Sequence, residues 1–154
     1  MFERYTESAR RVLFLARKEA LQRGCSSIHT EHILLGVIHV ADDITTNIFR
    51  NAGVSIETVV SAMSAPKPPI PLTVDIPFHS ETKRVLQYAA AEAERLQGAL
   101  LAHYVLADDH IGPEHLLLGL LREENATAAV MLVQRGVRLD IVRRESASKL
   151  GEAR

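Results

Sequence analysis

One segment of this chain occurs twice, and that repetition constrains the fold more than any other feature of the sequence. The first copy is TEHILLG at Thr30–Gly36, and the second is PEHLLLG at Pro113–Gly119. Internal repeats indicate that one structural unit has been copied, so we interpret the chain as a tandem duplication. Flanking residues match at a fixed spacing on each side: Arg11-Val12-Leu13 with Arg84-Val85-Leu86, Glu19-Ala20 with Glu92-Ala93, Phe49 with Leu132, Gly53-Val54 with Gly136-Val137, and Val59 with Val142.

Hydrophobic periodicity predicts helices throughout both copies. Apolar residues recur at three- and four-residue spacing after Thr6, and Gly24 is placed to end that helix. The repeated segment is apolar on every side, which is typical of a buried helix, and Gly36 would let another helix cross it closely. We therefore expect an all-α fold of about eight helices. They should begin near Thr6, Thr30, Asp42 or Asp43, Ser55, Ser80, Pro113, Ala126 and Leu139, with Ser80 capping the fifth.

A proline-rich stretch separates the two copies. The four prolines between positions 65 and 71 remove backbone donors and fix φ, so this stretch should form a stiff, extended joint. The spacing of the matches differs on the two sides of the repeated segment, which indicates an insert in the second copy. The expected order is repeat 1 at 1–64, a linker at 65–78 with a short strand near 72–76, repeat 2 at 79–150 with an insert near 99–111, and a frayed tail at 151–154.

Composition narrows the classes of protein that the chain can belong to. A net charge of -1 and an aromatic content of 5% disfavour nucleic-acid binding, which uses basic surfaces and aromatic stacking. The single cysteine, Cys25, fits a reducing compartment. No leader peptide opens the sequence, and the longest apolar run, Ile33–Val40, is too short to span a bilayer. We expect a cytoplasmic protein that binds neither nucleic acid nor membranes.

The motifs that usually mark catalysis or cofactor binding are missing from this sequence. His29 and His32 are three residues apart at a helix boundary, whereas a hydrolytic zinc helix places two histidines four residues apart. His32 and His115 recur with the repeat and precede core aliphatic residues, which favours a structural role. There is no phosphate-binding loop and no nucleophile elbow. We predict no catalytic residue, no metal site and no cofactor.

Specific residues resemble those of a known family. Phe2, Tyr5-Thr6-Glu7 and Ala9, together with the two copies of the repeated segment, resemble the N-terminal domain of Clp-family AAA+ unfoldases, especially the ClpC type. The resemblance runs from Met1 to about Leu150. It implies two four-helix repeats related by a pseudo-twofold axis, which agrees with the periodicity. Because the phosphate loop is missing, the chain itself should not be an ATPase. It is either a free-standing N-domain without ATPase modules or that domain taken from a longer chaperone, and we expect the first.

The resemblance also implies a ligand site. Some Clp N-domains are similar to readers of phosphorylated arginine, in which a Glu of each repeated motif holds the guanidinium near the Thr that opens the preceding helix. Carried over by position, Glu31 pairs with Thr6, and Glu114 pairs with His79, which is followed by Ser80 where the family usually has Thr-Pro. A carboxylate suits a guanidinium, and helix N-terminal amides favour phosphate. The alternative is that both acids only stabilise their helix dipoles, by about 0.3–1 kcal/mol.

A second surface is implied by the same resemblance. Phe2, Arg10, Phe78 and Lys83 correspond to a patch that binds cyclic peptide inhibitors in family members. The alternative role for Phe2 and Phe78 is structural, because apolar residues that precede a helix often pack against its first turns.

These features together predict a non-enzymatic protein-binding module. We expect it to dock protein substrates or adaptors, arginine-phosphorylated proteins among them, for a ClpC-type unfoldase and the Clp protease. The alternative hypothesis is a structural accessory subunit that binds the protease or unfoldase complex. Separate pull-downs with the unfoldase, the protease and arginine-phosphorylated protein distinguish the two.

Overall fold

A computed structural model describes the backbone of residues 2–101 and 110–152, and the side chains of 2–95 and 110–148. Within these residues the fold is all-α, and β structure is limited to two isolated bridges. The predicted all-α class and the eight helices are confirmed. The helices are α1 (Glu7–Gln22), α2 (Thr30–Val40), α3 (Asp43–Ala52), α4 (Ile56–Ser61), α5 (Ser80–Leu101), α6 (Pro113–Arg122), α7 (Thr127–Gln134) and α8 (Leu139–Glu152).

The core lies where the two copies of the repeated segment meet. These copies form α2 and α6, which pack against each other and are buried over most of their length. Each is also crossed by the helix that precedes it in its own repeat. A Cβ atom at Gly36 would overlap the carbonyl oxygen of Val12, and one at Gly119 would overlap that of Val85. The close crossing predicted at Gly36 is therefore present, and it occurs in both repeats.

Two short backbone contacts connect the repeats and reveal their symmetry. Tyr5 forms a parallel bridge with Ile111, and Phe78 forms one with Ile28. Tyr5 and Phe78 occupy equivalent positions in the two copies, and so do Ile28 and Ile111. The residues just before the first helix of each repeat, which we call its helix entry, therefore pair with the residues just before the second helix of the other repeat. This reciprocal exchange is the predicted pseudo-twofold relation.

The proline-rich joint contains no strand, so the strand predicted near 72–76 is wrong. Arg17 of α1 donates hydrogen bonds to the carbonyl oxygens of Leu72 and Val74, at 2.7 and 2.8 Å. These carbonyls are satisfied by a side chain instead of a neighbouring strand. The amides of Lys67 and Ile70 bond to the carbonyls of Arg23 and Leu21, which ties the joint to the end of α1.

The ends of repeat 2 differ in detail from the prediction. α5 has 22 residues, whereas its counterpart α1 has 16, so the beginning of the predicted insert prolongs the helix. Residues 102–109 of the insert lie outside the described residues, as do 153–154, whereas its last residue, Ile111, forms the bridge with Tyr5. α8 continues to Glu152, beyond the expected end at residue 150.

Candidate functional site

The carboxylates predicted to bind a ligand lie at two junctions where helices begin side by side. We call the first the α1–α6 junction: the Thr6 amide bonds to the Ile111 carbonyl at 3.0 Å, so Thr6 lies beside the helix that carries Glu114. The second is the α2–α5 junction, where the His79 amide bonds to the Ile28 carbonyl at 3.0 Å. This places His79 beside the helix that carries Glu31.

The pairing predicted from the sequence is therefore wrong. We paired Glu31 with Thr6 and Glu114 with His79, on the assumption that each site is built within one repeat. The bridges join segments of different repeats, so Thr6 lies beside the segment that leads into the helix of Glu114, and His79 lies beside the segment that leads into the helix of Glu31. The physical reason is that hydrogen bonds at the junctions satisfy amides of one copy with carbonyls of the other.

The caps of α1 and α5 differ between the two junctions. The Thr6 hydroxyl accepts a hydrogen bond from the Ala9 amide at 3.1 Å, which satisfies one free amide at the start of α1. At α5 the expected cap, Ser80, is already the first helical residue. The imidazole Nδ1 of His79 accepts from the Glu81 amide at 3.3 Å instead. The His79 ring also stacks on His29, with centroids 4.6 Å apart.

Glu31 borders a cavity of about 320 Å³. The cavity lies between the start of α2, the end of α1 and the proline-rich joint, and Arg23, Cys25, His29 and Lys67 also line it. The Thr30 hydroxyl donates to Oε1 of Glu31 at 3.0 Å, which orients the carboxylate. Neither His79 nor Ser80 is among the lining residues. The cavity thus combines one carboxylate, two cationic side chains and a helix N-terminus.

His32 contributes an unusual group to the same cavity. It is 1% exposed, and its Nδ1 accepts a hydrogen bond from the His29 amide at 2.9 Å. Burial lowers the pKa of His32 to about 4, so the ring is neutral at neutral pH and its proton is on Nε2. That Nε2 is buried and has no hydrogen-bond partner among the described residues. A buried donor without an acceptor costs about 1–3 kcal/mol, so this side chain is held in place at a cost in stability.

Glu114 has a different environment, although it occupies the equivalent position. Its side chain is 18% exposed and folds back over Gly112, where a Cβ atom would overlap its carboxylate. Burial raises the pKa of Glu114 to about 7. A hydrogen bond from its own backbone amide lowers this pKa, and the nearby charge of Asp42 raises it. The contact of 3.3 Å with Nδ1 of His115 is not an ion pair. That nitrogen accepts from the Gly112 amide, and burial lowers the pKa of His115 to about 4.

Three of the four residues predicted for the peptide patch line one cavity of about 360 Å³. Phe2 and Phe78 meet edge to face with centroids 6.2 Å apart, and Lys83 lies at the rim with Leu86. Arg10 is not in the lining; its guanidinium donates to the Phe2 carbonyl at 3.3 Å and supports the N-terminal backbone. Phe2 and Phe78 also pack on the core, so the structural role considered for them is present together with the open face.

The sequence did not predict that Arg23, Lys67 and His32 would share a cavity with Glu31. Arg23 follows the last turn of α1, and Lys67 lies between prolines, so neither belongs to a recognisable motif. Lys67 arrives there because its amide bonds to the Arg23 carbonyl at 3.0 Å. The recurrence of His32 and His115 predicted a structural role, and both have one, because each Nδ1 accepts from the amide three residues before it.

Two further properties concern only the described part of the chain. No group of three or more His, Cys, Asp or Glu side chains there is arranged to hold a metal ion. No described helix combines the length and hydrophobicity that a bilayer crossing requires.

The fold and its paired helix entries define a class: a duplicated all-α domain with a ligand-sized cavity at a helix N-terminus. The family model described as the Clp repeat (R) N-terminal domain matches residues 4–107. The chain belongs to this family. It is 34% identical over 160 residues to the chaperone protein ClpC1, chloroplastic, of Oryza sativa subsp. japonica, and the match covers 99% of the chain. It is 35% identical over 159 residues to an ATP-dependent Clp protease ATP-binding subunit ClpA homolog of Guillardia theta. The chain spans only 16% and 18% of the lengths of these relatives.

Solved structures share the fold at lower sequence identity. The N-terminal domain of the chaperone ClpD from Arabidopsis thaliana superposes with a TM-score of 0.69 at 23% identity, covering 98% of this chain and 97% of that one. The Hsp104 N-terminal domain from Candida albicans gives 0.71 at 18% identity, covering 99% and 94%. These likenesses extend over the full domain and establish its architecture.

Proposed function

We propose that this chain is a non-enzymatic docking module that presents protein substrates or adaptors to a ClpC-type unfoldase and the Clp protease. Membership of the Clp N-terminal family supports the association with a Clp chaperone. The cytoplasmic location stays a prediction, since the rice relative is named as chloroplastic. The observation that carries the proposal is the cavity at Glu31, which offers opposite charges to one ligand.

The ligand that these charges favour is a phosphorylated arginine side chain. Its guanidinium pairs with the Glu31 carboxylate, which Thr30 already orients. Its phosphate lies toward Arg23 and Lys67, the two cationic side chains of the cavity lining. Helix N-terminal amides favour an anion at the same place. An unmodified arginine would satisfy only the carboxylate, and a phosphoserine only the cations.

The patch at Phe2, Phe78 and Lys83 extends the docking surface. Phe78 is adjacent in sequence to His79, whose ring stacks on His29 of the Glu31 cavity. A bound polypeptide can therefore place a phosphoarginine in the cavity and an apolar side chain between the two phenylalanines. Aromatic side chains supply much of the binding energy in such contacts.

Calorimetry tests the assignment of the charged site. A phosphoarginine peptide should bind, and Glu31→Gln should weaken it by tenfold or more, since about 1.4 kcal/mol corresponds to each factor of ten. Glu114→Gln is the matched control and should change the affinity less than threefold, because that carboxyl group is folded over Gly112. Unchanged affinity in Glu31→Gln contradicts the site. Capture of the Clp protease alone, with no binding of arginine-phosphorylated protein, contradicts the docking function and favours an accessory subunit.

A further inference from the structure

An open groove on the second repeat belongs to neither junction. It has a volume of about 540 Å³, larger than the cavity at Glu31. It lies among the end of α6, α7 and the start of α8, and it is lined by Leu121, Glu124, Val130, Val133, Gln134, Arg138 and Leu139. Val130 and Val133 are 43% and 51% exposed, and they are one turn apart on α7. The groove therefore has an apolar floor and an apolar ridge that water contacts directly.

The duplicated architecture shows that the fold does not require these two valines. By the repeat alignment, Val130 and Val133 correspond to Asn47 and Arg50 of α3. Both of those residues are polar and exposed, and α3 is a regular helix of 10 residues. The same helical position thus tolerates an amide and a guanidinium in repeat 1. An apolar pair at this position in repeat 2 favours a role in binding over a role in packing.

The charges around the groove indicate the chemistry of its occupant. Glu124 follows the end of α6, and Arg138 precedes the start of α8. Both are exposed, and neither side chain has a hydrogen-bond or ion-pair partner among the described residues. The groove therefore offers one free acid and one free base beside an apolar centre. A complementary surface would carry apolar residues flanked by a cation and an anion.

We propose that this groove binds an amphipathic helix of a partner protein, with a basic residue beside Glu124, an acidic residue beside Arg138 and aliphatic residues against Val130 and Val133. A helix is favoured over an extended peptide because this face is built from helices, and it presents no strand edge in the described residues. A second copy of the chain is disfavoured by shape, because two facing grooves would leave a void between them. It is also disfavoured by area, because two exposed valines provide little of the ~1,000 Å² that a stable protein interface buries.

A pair of designed peptides tests the proposal. Each is a lactam-bridged helix of roughly 15 residues. Leucines lie at three- and four-residue spacing, with Lys at one end of the apolar stripe and Glu at the other, and the second peptide exchanges the two charges. Binding is followed by amide chemical shifts of the whole chain. One peptide should bind at least threefold more tightly, with shifts confined to α7 and the adjoining ends of α6 and α8.

Three variants complete the design. Val130→Asn with Val133→Arg, the repeat 1 residues, should weaken binding tenfold or more. The control is Leu72→Asn with Val74→Arg, which makes the same replacements at two exposed aliphatic side chains of the proline-rich joint. Leu72 and Val74 are 54% and 41% exposed, and this variant should bind the peptides normally. Glu124→Arg with Arg138→Glu should reverse the preference between the two peptides. The proposal is overturned if neither peptide binds, if the valine double variant binds normally, or if sedimentation shows dimers that the valine variant abolishes.

Discussion

The two repeats have the same backbone plan, but the acids at one equivalent position, Glu92 and Glu19, have different burial and different partners. In repeat 2, Glu92 is fully buried and accepts hydrogen bonds from Arg143 at 2.8 and 2.9 Å and from Arg122 at 3.1 Å. Burial alone would raise the pKa of Glu92, but the two arginines hold it below the ordinary value. In repeat 1 the equivalent Glu19 is a quarter exposed, and its ion-pair partner within the described part of the chain is His39, at 3.7 Å.

This difference shows which features of the ancestral unit the fold requires. The glycine crossings and the reciprocal bridges are present in both copies, so they define the architecture. The polar partners vary: His39 corresponds to Arg122, and Val60 corresponds to Arg143. Positions that differ between the copies are therefore free to acquire a separate stabilising or binding role, provided that the backbone contacts are kept.

The largest expected effect tests the two acids against each other. Glu92→Gln leaves the guanidinium groups of Arg122 and Arg143 without their anion, and we expect a loss of about 3–4 kcal/mol in the free energy of unfolding. Glu19→Gln should lose less than about 1 kcal/mol, because its pair is partly exposed. Urea denaturation at neutral pH measures both. The double variant Glu92→Gln with Arg143→Val copies the repeat 1 residue and should recover part of the loss. Equal losses in the two single variants would contradict this account.

The sequence predicted the helices well because their signals are local. Apolar spacing, caps such as Asp42 and Ser55, and the stop at Gly53 each act within a few residues, and the structure has them as expected. The close crossing at Gly36 followed from the presence of a glycine in an apolar helix.

The composition of the sites could not be predicted in the same way. The repeat alignment identifies equivalent residues, but it does not say which copy supplies the neighbour of a given residue. Thr6 lies beside the start of α6 because its amide bonds to the Ile111 carbonyl across more than a hundred residues of chain. Similarly, Lys67 reaches the Glu31 cavity only because the joint folds back along α1. Both are long-range contacts that periodicity does not encode.

The second prediction concerns Glu114 and the way stability changes with pH. Glu114 in the folded chain has a pKa of about 7, whereas the ordinary value is 4.5, so the unfolded chain loses this proton first as pH rises. Wild-type stability should therefore fall relative to Glu114→Gln between about pH 4.5 and 7, by about 2 kcal/mol after allowance for partial exposure. His32 and His115 also titrate, but they contribute equally to both proteins. Urea midpoints across this pH range measure the difference. A difference that does not change with pH would mean that Glu114 is ionised in the folded state throughout.

The smallest effect concerns the caps of the two junctions. Thr6→Ala removes the oxygen that accepts from the Ala9 amide, and we expect a loss of about 1 kcal/mol. His79→Ala should cost a similar amount, because the imidazole caps α5 by accepting from the Glu81 amide.

The informative variant is His79→Thr, which gives repeat 2 the cap of repeat 1. If capping is the main role of this histidine, His79→Thr should retain stability within about 0.5 kcal/mol of wild type. If His79→Thr loses as much as His79→Ala, the ring stacked on His29 is the stabilising feature instead. Thermal and urea unfolding of the three variants, measured in one buffer, distinguish these outcomes.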